Sequence, residues 1–406
     1  MAYSLSLRAK NLHVGIFMPK LIETIDLVTN FYTHEGVVKA LDKVSISVDH
    51  GCTFGLVGES GCGKSVTVRS MMRIIQEPGK IDGGQVLFYP ENNGSDAAID
   101  LLKQSETTMK GLRGNKISMI FQEPNAALNP IMSIGEQVAE SFLFHRKEEM
   151  CQQILMDMDA AIPKTNPLKI FLKALYRLAA SHPEALILKL FSKTPLLRFW
   201  ENRLKREAMR RAVEMIATLS IPHAADIARR YPHNLSGGMK QRIVIAIALA
   251  CNPLLLIADE ATSNLDVTIQ AQILDLLKEL KQKVISSVLL ITHDLGIVAE
   301  TCDRVGVMYA GNLCEVADVK DLFNEPRHPY TRALLNAVPR FSHEGELESI
   351  EGNVPNLVNP PSGCRFHPRC KDAKAICKEA FPESTVVGNN HQVACFLYTE
   401  KPRNNF

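Results

Sequence analysis

A chain of 406 residues is too long for one compact core, so two or more domains are expected. With 46% hydrophobic and 22% charged residues the composition is that of an ordinary globular protein, and a net charge of +2 argues against a broad nucleic-acid-binding surface. The most apolar unbroken stretch, Ile243 to Cys251, is about half the roughly 18 residues a spanning helix needs. No charged-then-apolar secretory pattern opens the sequence, which predicts a cytoplasmic chain with reduced cysteines.

Residues 1 to about 20 show no pattern. From Ile22 to Val48 short β-branched runs alternate with turn residues, which predicts an antiparallel β-region. Within it Phe31 or Tyr32 is placed to stack on a nucleotide base, or equally to pack into the sheet. Next, the apolar run Phe54 to Val57 leads into Gly58, Glu59, Ser60, Gly61, Cys62, Gly63, Lys64 and Ser65, a match to G-x-x-x-x-G-K-[ST] at every fixed position. Strand, glycine turn and helix start, with Val66 the next residue, form a phosphate cradle. Lys64 would reach the β- and γ-phosphates and the Ser65 hydroxyl would ligate Mg²⁺.

Further strands are predicted at Gln85–Tyr89 and Ile117–Phe121. Gln122 follows the second at a strand end, where its amide would reach the metal or its water. Residues 131–233 read as helical, with Leu168, Phe171, Leu172, Leu175 and Leu178 on one face. Between Arg146 and Arg206, 12 basic residues face 6 acidic ones, so a basic helical block is set into an otherwise slightly acidic chain. Ser236, Gly237 and Gly238 then open a helix, again an anion-binding arrangement. Leu254–Ala258 runs apolar into Asp259 and Glu260, and two carboxylates at a buried strand end are costly unless they serve metal or water. Asp259 suits the water shell of Mg²⁺, and Glu260 suits activation of a water as general base. Ser287–Thr292 delivers His293.

These motifs in this order resemble the ATP-binding subunit of an ATP-binding-cassette (ABC) transporter: Walker A (58–65), Q-loop (Gln122), signature (235–242), Walker B (255–260), D-loop (Ser263–Asp266) and switch histidine (His293). Phe121–Pro124, Leu128–Pro130, Tyr231–His233, Leu265–Gln272, His328–Thr331 and Gly363–Cys370 are similar to the oligopeptide/dipeptide/nickel importer branch. The resemblance implies an α/β P-loop NTPase fold with an antiparallel β-subdomain and a helical subdomain. It spans residues 1–339, with the helical part at about 123–234 and an insertion at about 148–203. A small cysteine-containing extension covers 340–406. Ala261, Asn264 and Cys62 depart from the usual residues of the branch, and none of these removes a phosphate or metal ligand.

The function implied is ATP-driven import of oligopeptides or dipeptides, with nickel or another small solute, or a non-transport role in the superfamily, as alternatives. ATP and Mg²⁺ are the implied cofactors. Glu260, His293 and Gln122 are the implied catalytic residues. The resemblance implies that the nucleotide would be held by Tyr32, residues 58–66, Gln122 and Asp259, and across a dimer by Ser236, Gly237 and Gly238. Two membrane permease subunits and a second ATPase, in a heterodimer or a homodimer, are the implied partners. An extracytoplasmic binding protein acts indirectly, no nucleic acid is involved, and the chain would lie on the cytoplasmic face of the membrane.

Cys364, Cys370, Cys377 and Cys395 remain, spaced Cys-x₅-Cys-x₆-Cys-x₁₇-Cys. Two disulfides, a structural zinc and a [4Fe–4S] cluster all suit four thiols, though a reducing compartment disfavours disulfides and no pair has the usual zinc spacing. Resemblance to the importer branch leans towards the cluster, making all four cysteines candidate metal ligands.

Overall fold

The computed structural model describes residues 19–90, 98–160, 167–181, 199–261, 266–283, 287–337, 350–388 and 390–403. Two sheets organise them. The first is antiparallel and runs in the order β2 (Gly36–Val44), β1 (Lys20–Thr33), β5 (Gly79–Phe88), β6 (Ile99–Asp100), with β3 (Ser47–Asp49) also on β1. The long β1 is its spine, and register shifts along it bend the ribbon.

The second sheet runs β12 (Thr385–Gly388), β13 (His391–Val393), β11 (Asn312–Asp318), β10 (Arg304–Tyr309), β4 (Thr53–Val57), β9 (Ser287–Ile291), β8 (Leu255–Asp259), β7 (Ile117–Ile120). From β10 to β7 every pairing is parallel. Strands β4, β7, β8 and β9 are buried along their whole lengths, which is why they read as unbroken apolar runs rather than alternating ones. The C-terminal segment adds its hairpin β12–β13 antiparallel to the β11 edge, so the extension expected from the sequence shares the main sheet rather than standing apart.

Helices fill the span between β7 and β8: Ile134–His145, Lys147–Ala160, Pro167–Ser181, Phe199–Thr218, Ala224–Arg229 and Gly237–Leu249. The described parts of the basic block are packed into this helical core. Leu172, Leu175, Tyr176 and Ala179 are its buried face, while Phe171 is exposed, so the apolar stripe lies one step round from the one read in the sequence. Trp200 is 1% exposed and its backbone carbonyl accepts a bond from Tyr176 Oη (2.5 Å). It is a core residue. The stretches 161–166 and 182–198 of the insertion lie outside the described residues, as do Ser263, Asn264 and Leu265 of the D-loop. No described helix is long and apolar enough to cross a membrane.

Candidate nucleotide site and the cysteine segment

Strand β4 delivers the phosphate loop. Gly58 has φ 148°, and a Cβ there would sit 2.1 Å from the Met308 carbonyl oxygen. Gly63, at φ 105°, would meet the Ala40 carbonyl at 2.9 Å. Only glycine lets the loop curl this tightly against its neighbours. The helix Lys64–Met71 starts directly after Gly63 with no side chain capping its N-terminus, which leaves that end to an anion. Lys64 is buried and folded back on its own loop, its Nζ donating to the carbonyls of Gly58 (2.8 Å) and Glu59 (3.1 Å). Ser60 and Gly61 are exposed at the tip, whereas Cys62 is buried behind it, where burial pushes its thiol pKa up. Val66 is half-buried in the helix.

Ser65 Oγ donates to Asp259 Oδ1 at 2.7 Å, joining the loop to the end of β8. Asp259 is fully buried, and its Oδ2 has no hydrogen-bond partner, with the Arg69 guanidinium 3.7 Å away. Burial pushes this carboxyl up, against the opposing pull of Ser65 and Arg69. A buried carboxylate oxygen without a donor is a costly arrangement that the water shell of a divalent cation relieves. The residues present therefore fit Mg²⁺.

Glu260, Gln122 and His293 come from the ends of three neighbouring parallel strands, β8, β7 and β9. Gln122 Nε2 donates to Glu260 Oε2 at 3.0 Å, and His293 Nδ1 lies 3.8 Å from Oε1. Glu260 has φ 47°, a left-handed conformation that costs a non-glycine residue about 1 kcal/mol. Its N–H donates to the Ile291 carbonyl (3.1 Å), which holds that turn against β9. The carboxylate is thus aimed out of the sheet at its C-terminal edge, where ligands of open α/β sheets bind.

Ser236 caps the helix Gly237–Leu249, accepting the Met239 N–H (3.4 Å), and Ser236 and Gly237 are exposed. Two further residues of that helix, both within the signature stretch 235–242, tie it to the nucleotide end. Gln241 Nε2 donates to the Ala261 carbonyl (2.6 Å), and Lys240 Nζ donates to Asn125 Oδ1 (2.9 Å) just past Gln122. Tyr32 is 49% exposed near the end of β1, its hydroxyl donating to Asp82 (2.9 Å).

The four C-terminal cysteines line one narrow pocket together with His328 and Phe366. The backbone amides of Phe366, Asp372 and Leu397 face the sulfurs of Cys364, Cys370 and Cys395, and the Lys374 N–H donates to Cys377 Sγ at 3.4 Å. Burial pushes Cys364 up to about 12 and Cys395 up to about 11. Yet among the described residues no group of three or more His, Cys, Asp or Glu side chains is arranged to hold a metal ion. The four cysteines expected to share a metal share a pocket, and the described residues form no coordination sphere there.

Residues 41–263 match the family described as ABC transporter, and residues 314–377 match the oligopeptide/dipeptide transporter C-terminal region. Over 386 residues the chain is 39% identical to the dipeptide transport ATP-binding protein DppD of Bacillus subtilis (strain 168), covering 95% of this chain and 96% of that one. It is 40% identical to the oligopeptide transport ATP-binding protein AppD of the same organism, covering 95% and 98%. Among solved structures, the dimeric ATP-binding cassette MJ0796 bound to ADP and Pi overlays with a TM-score of 0.51 at 21% identity, covering 74% of this chain and 99% of that chain. That likeness bears on the fold alone.

Proposed function

Because the chain belongs to the ABC transporter ATP-binding family, we propose that it is the ATP-hydrolysing subunit of an importer of dipeptides or oligopeptides. The observation that carries the hydrolytic reading is the Glu260 carboxylate, held by Gln122 and faced by His293 beside the Ser65–Asp259 pair. The peptide reading is supported by relatives similar over nearly the whole chain and by the match at residues 314–377.

In this reading ATP enters with its phosphates against residues 58–66, and Lys64 exchanges two carbonyls for phosphate oxygens. Ser65 and Gln122, with Asp259 beside them, would hold Mg²⁺, which would supply neutralisation of phosphate charge. Glu260 takes the proton of the attacking water, and His293 contacts the γ-phosphate. The Ser236–Gly238 turn, exposed at Ser236 and Gly237, serves the nucleotide of a second ATPase subunit, so ATP binding favours the closed pair. Gln241 and Lys240 link that turn to Ala261 and Asn125, which gives closure a route to the helical region and its membrane permeases. Co-expression with candidate peptide permeases and a peptide-binding protein, followed by reconstitution into liposomes, tests this. Peptide-stimulated ATP hydrolysis with peptide uptake is expected. Hydrolysis stimulated by nickel and by no peptide would overturn the cargo, and failure to copurify with any permease would overturn transport.

The reading extends to a metal centre on Cys364, Cys370, Cys377 and Cys395, supported by four sulfurs around one pocket, each faced by a backbone amide. Amide donors stabilise thiolate charge, which is what a ligating cysteine carries. A single zinc needs sulfurs about 3.8 Å apart, from bonds of about 2.3 Å at tetrahedral angles. Among the described residues no group of side chains is arranged for one ion, so the preference for a [4Fe–4S] cluster rests on the resemblance to the importer branch. Such a centre would fix the tail. Anaerobic purification with metal analysis and a visible spectrum is the test. Colourless protein with about one zinc transfers the site to zinc, and four free thiols with neither metal end it.

A further inference from the structure

Glu59 occupies the second position of the phosphate loop, an odd place for a carboxylate in a pocket for a polyanion. Its charge is met from the far end of the chain. Arg369, in the turn that ends at Cys370, donates from Nη1 to Glu59 Oε2 (2.8 Å) and from Nη2 to Oε1 (3.1 Å), a bidentate pair. The remaining donors of the guanidinium are also engaged, with Tyr309 Oη (3.3 Å), the Glu351 carbonyl (2.9 Å) and the Ile350 carbonyl (3.2 Å). The Arg369 side chain is only 6% exposed and lies 5.7 Å from the centre of the Tyr309 ring. Nothing about this side chain is loose.

The backbone of residue 59 is held from the same side. Its N–H donates to Tyr330 Oη (2.9 Å), and Tyr330 packs on Tyr309 and Phe366 with ring centroids 4.7 and 5.3 Å apart. The carbonyl of Glu59 in turn accepts from Lys64 Nζ. So the place where Lys64 rests is set partly by a residue whose amide and carboxylate are both fastened to the C-terminal third of the chain.

We propose that Arg369 is a positioning residue of the phosphate loop, acting through Glu59. It does two things. The bidentate fork fixes the orientation of the loop's second residue, and the guanidinium cancels a negative charge that would otherwise repel the incoming phosphates. The Arg369–Glu59 pair needs no metal on the neighbouring cysteines.

The test uses the full chain and a fluorescent ATP analogue, with turnover measured in the assembled complex. Arg369→Ala should weaken nucleotide affinity about three- to tenfold, the effect of one charge at a partly solvated site, with turnover at saturating ATP within about twofold. Arg369→Gln, which keeps two donors and much of the packing, should weaken it similarly and serves if the alanine variant does not fold. Removing the charge that Arg369 opposes, in Glu59→Gln/Arg369→Gln, should return most of the affinity. A tail that simply unfolds is not mended by changing Glu59, so this rescue separates positioning from general stability. Unchanged affinity in Arg369→Gln overturns the proposal, and so does a loss that the double variant fails to restore.

Discussion

The phosphate-loop end and the cysteine end of this chain are both built of buried polar atoms, and they differ in what those atoms lack. At the first, Asp259 Oδ2 has no donor, Lys64 leans on two carbonyls, and the Ser236–Gly237 turn faces solvent. At the second, every sulfur has an amide against it. Glu315, 1% exposed, accepts from His391 Nε2 (2.7 Å), Arg327 N (2.7 Å) and His328 N (2.9 Å). The first end keeps spare bonding capacity for a ligand that arrives and leaves in each cycle. The second closes its thiols and its buried carboxylate with partners of its own, and its unpartnered buried atoms, Thr331 Oγ1 and the Nε atoms of Arg327, Arg332 and Arg403, are not carboxylate acceptors.

The largest effect that would break this contrast is at Glu260. Glu260→Gln keeps the shape and the contact with Gln122 but cannot accept the proton of a water, so hydrolysis should fall about 10²–10⁴-fold while ATP binding is retained. Phosphate release and equilibrium nucleotide binding measure the two separately, and turnover near that of the parent would remove Glu260 from the chemistry. Lys64→Ala should fail earlier, losing ATP affinity by about one to two orders of magnitude because a charge-assisted phosphate contact is gone. If both variants bound ATP alike, the proposed movement of Lys64 from carbonyl to phosphate would be wrong.

Changes at the cysteines should read out as stability instead. Cys395→Ser puts a hydroxyl into an apolar pocket and should cost about 1–3 kcal/mol in chemical denaturation, with catalytic turnover reduced far less than by Glu260→Gln. A Cys395→Ser protein with normal stability and lost turnover would reverse the division of labour between the two ends.

The nucleotide end was legible in the sequence because its geometry is local. Gly58, Gly63, Lys64 and Ser65 are neighbours in one loop, and Asp259 and Glu260 are read off one strand end. The C-terminal third was less legible. Four cysteines were evident as a group, yet nothing near Thr385 or His391 announces that their hairpin continues the sheet through β11, because edge pairing depends on a strand over 70 residues earlier. Arg369 and Glu59 are 310 positions apart, and neither shows a partner in its own neighbourhood. Spacing alone places Phe171 on the helical stripe, whereas packing against Trp200 buries Tyr176 and leaves Phe171 exposed.

The smallest effect expected is an acid sensitivity placed at the closed end. His328 is 2% exposed, and its Nδ1 accepts the Tyr330 N–H at 3.0 Å at the start of the helix Pro329–Asn336. Burial, with Arg332 nearby, lowers its pKa from 6.5 to about 3. The ring is therefore neutral when folded, and protonating it would remove the acceptor that caps the helix. The sign follows: below about 6.5 the unfolded chain takes up a proton that the folded chain refuses, so stability is lost as pH falls from there towards about 3. Between pH 7.5 and 5.5 this amounts to about 1.4 kcal/mol. His328→Asn keeps a side-chain oxygen for the cap and cannot titrate. Denaturation midpoints across that range should therefore fall more steeply for the parent than for the variant, whatever the variant's own stability. The His391–Glu315 pair is present in both and drops out of the difference. Parallel pH profiles would move the acid sensitivity away from His328 and leave the closed end without its titrating group.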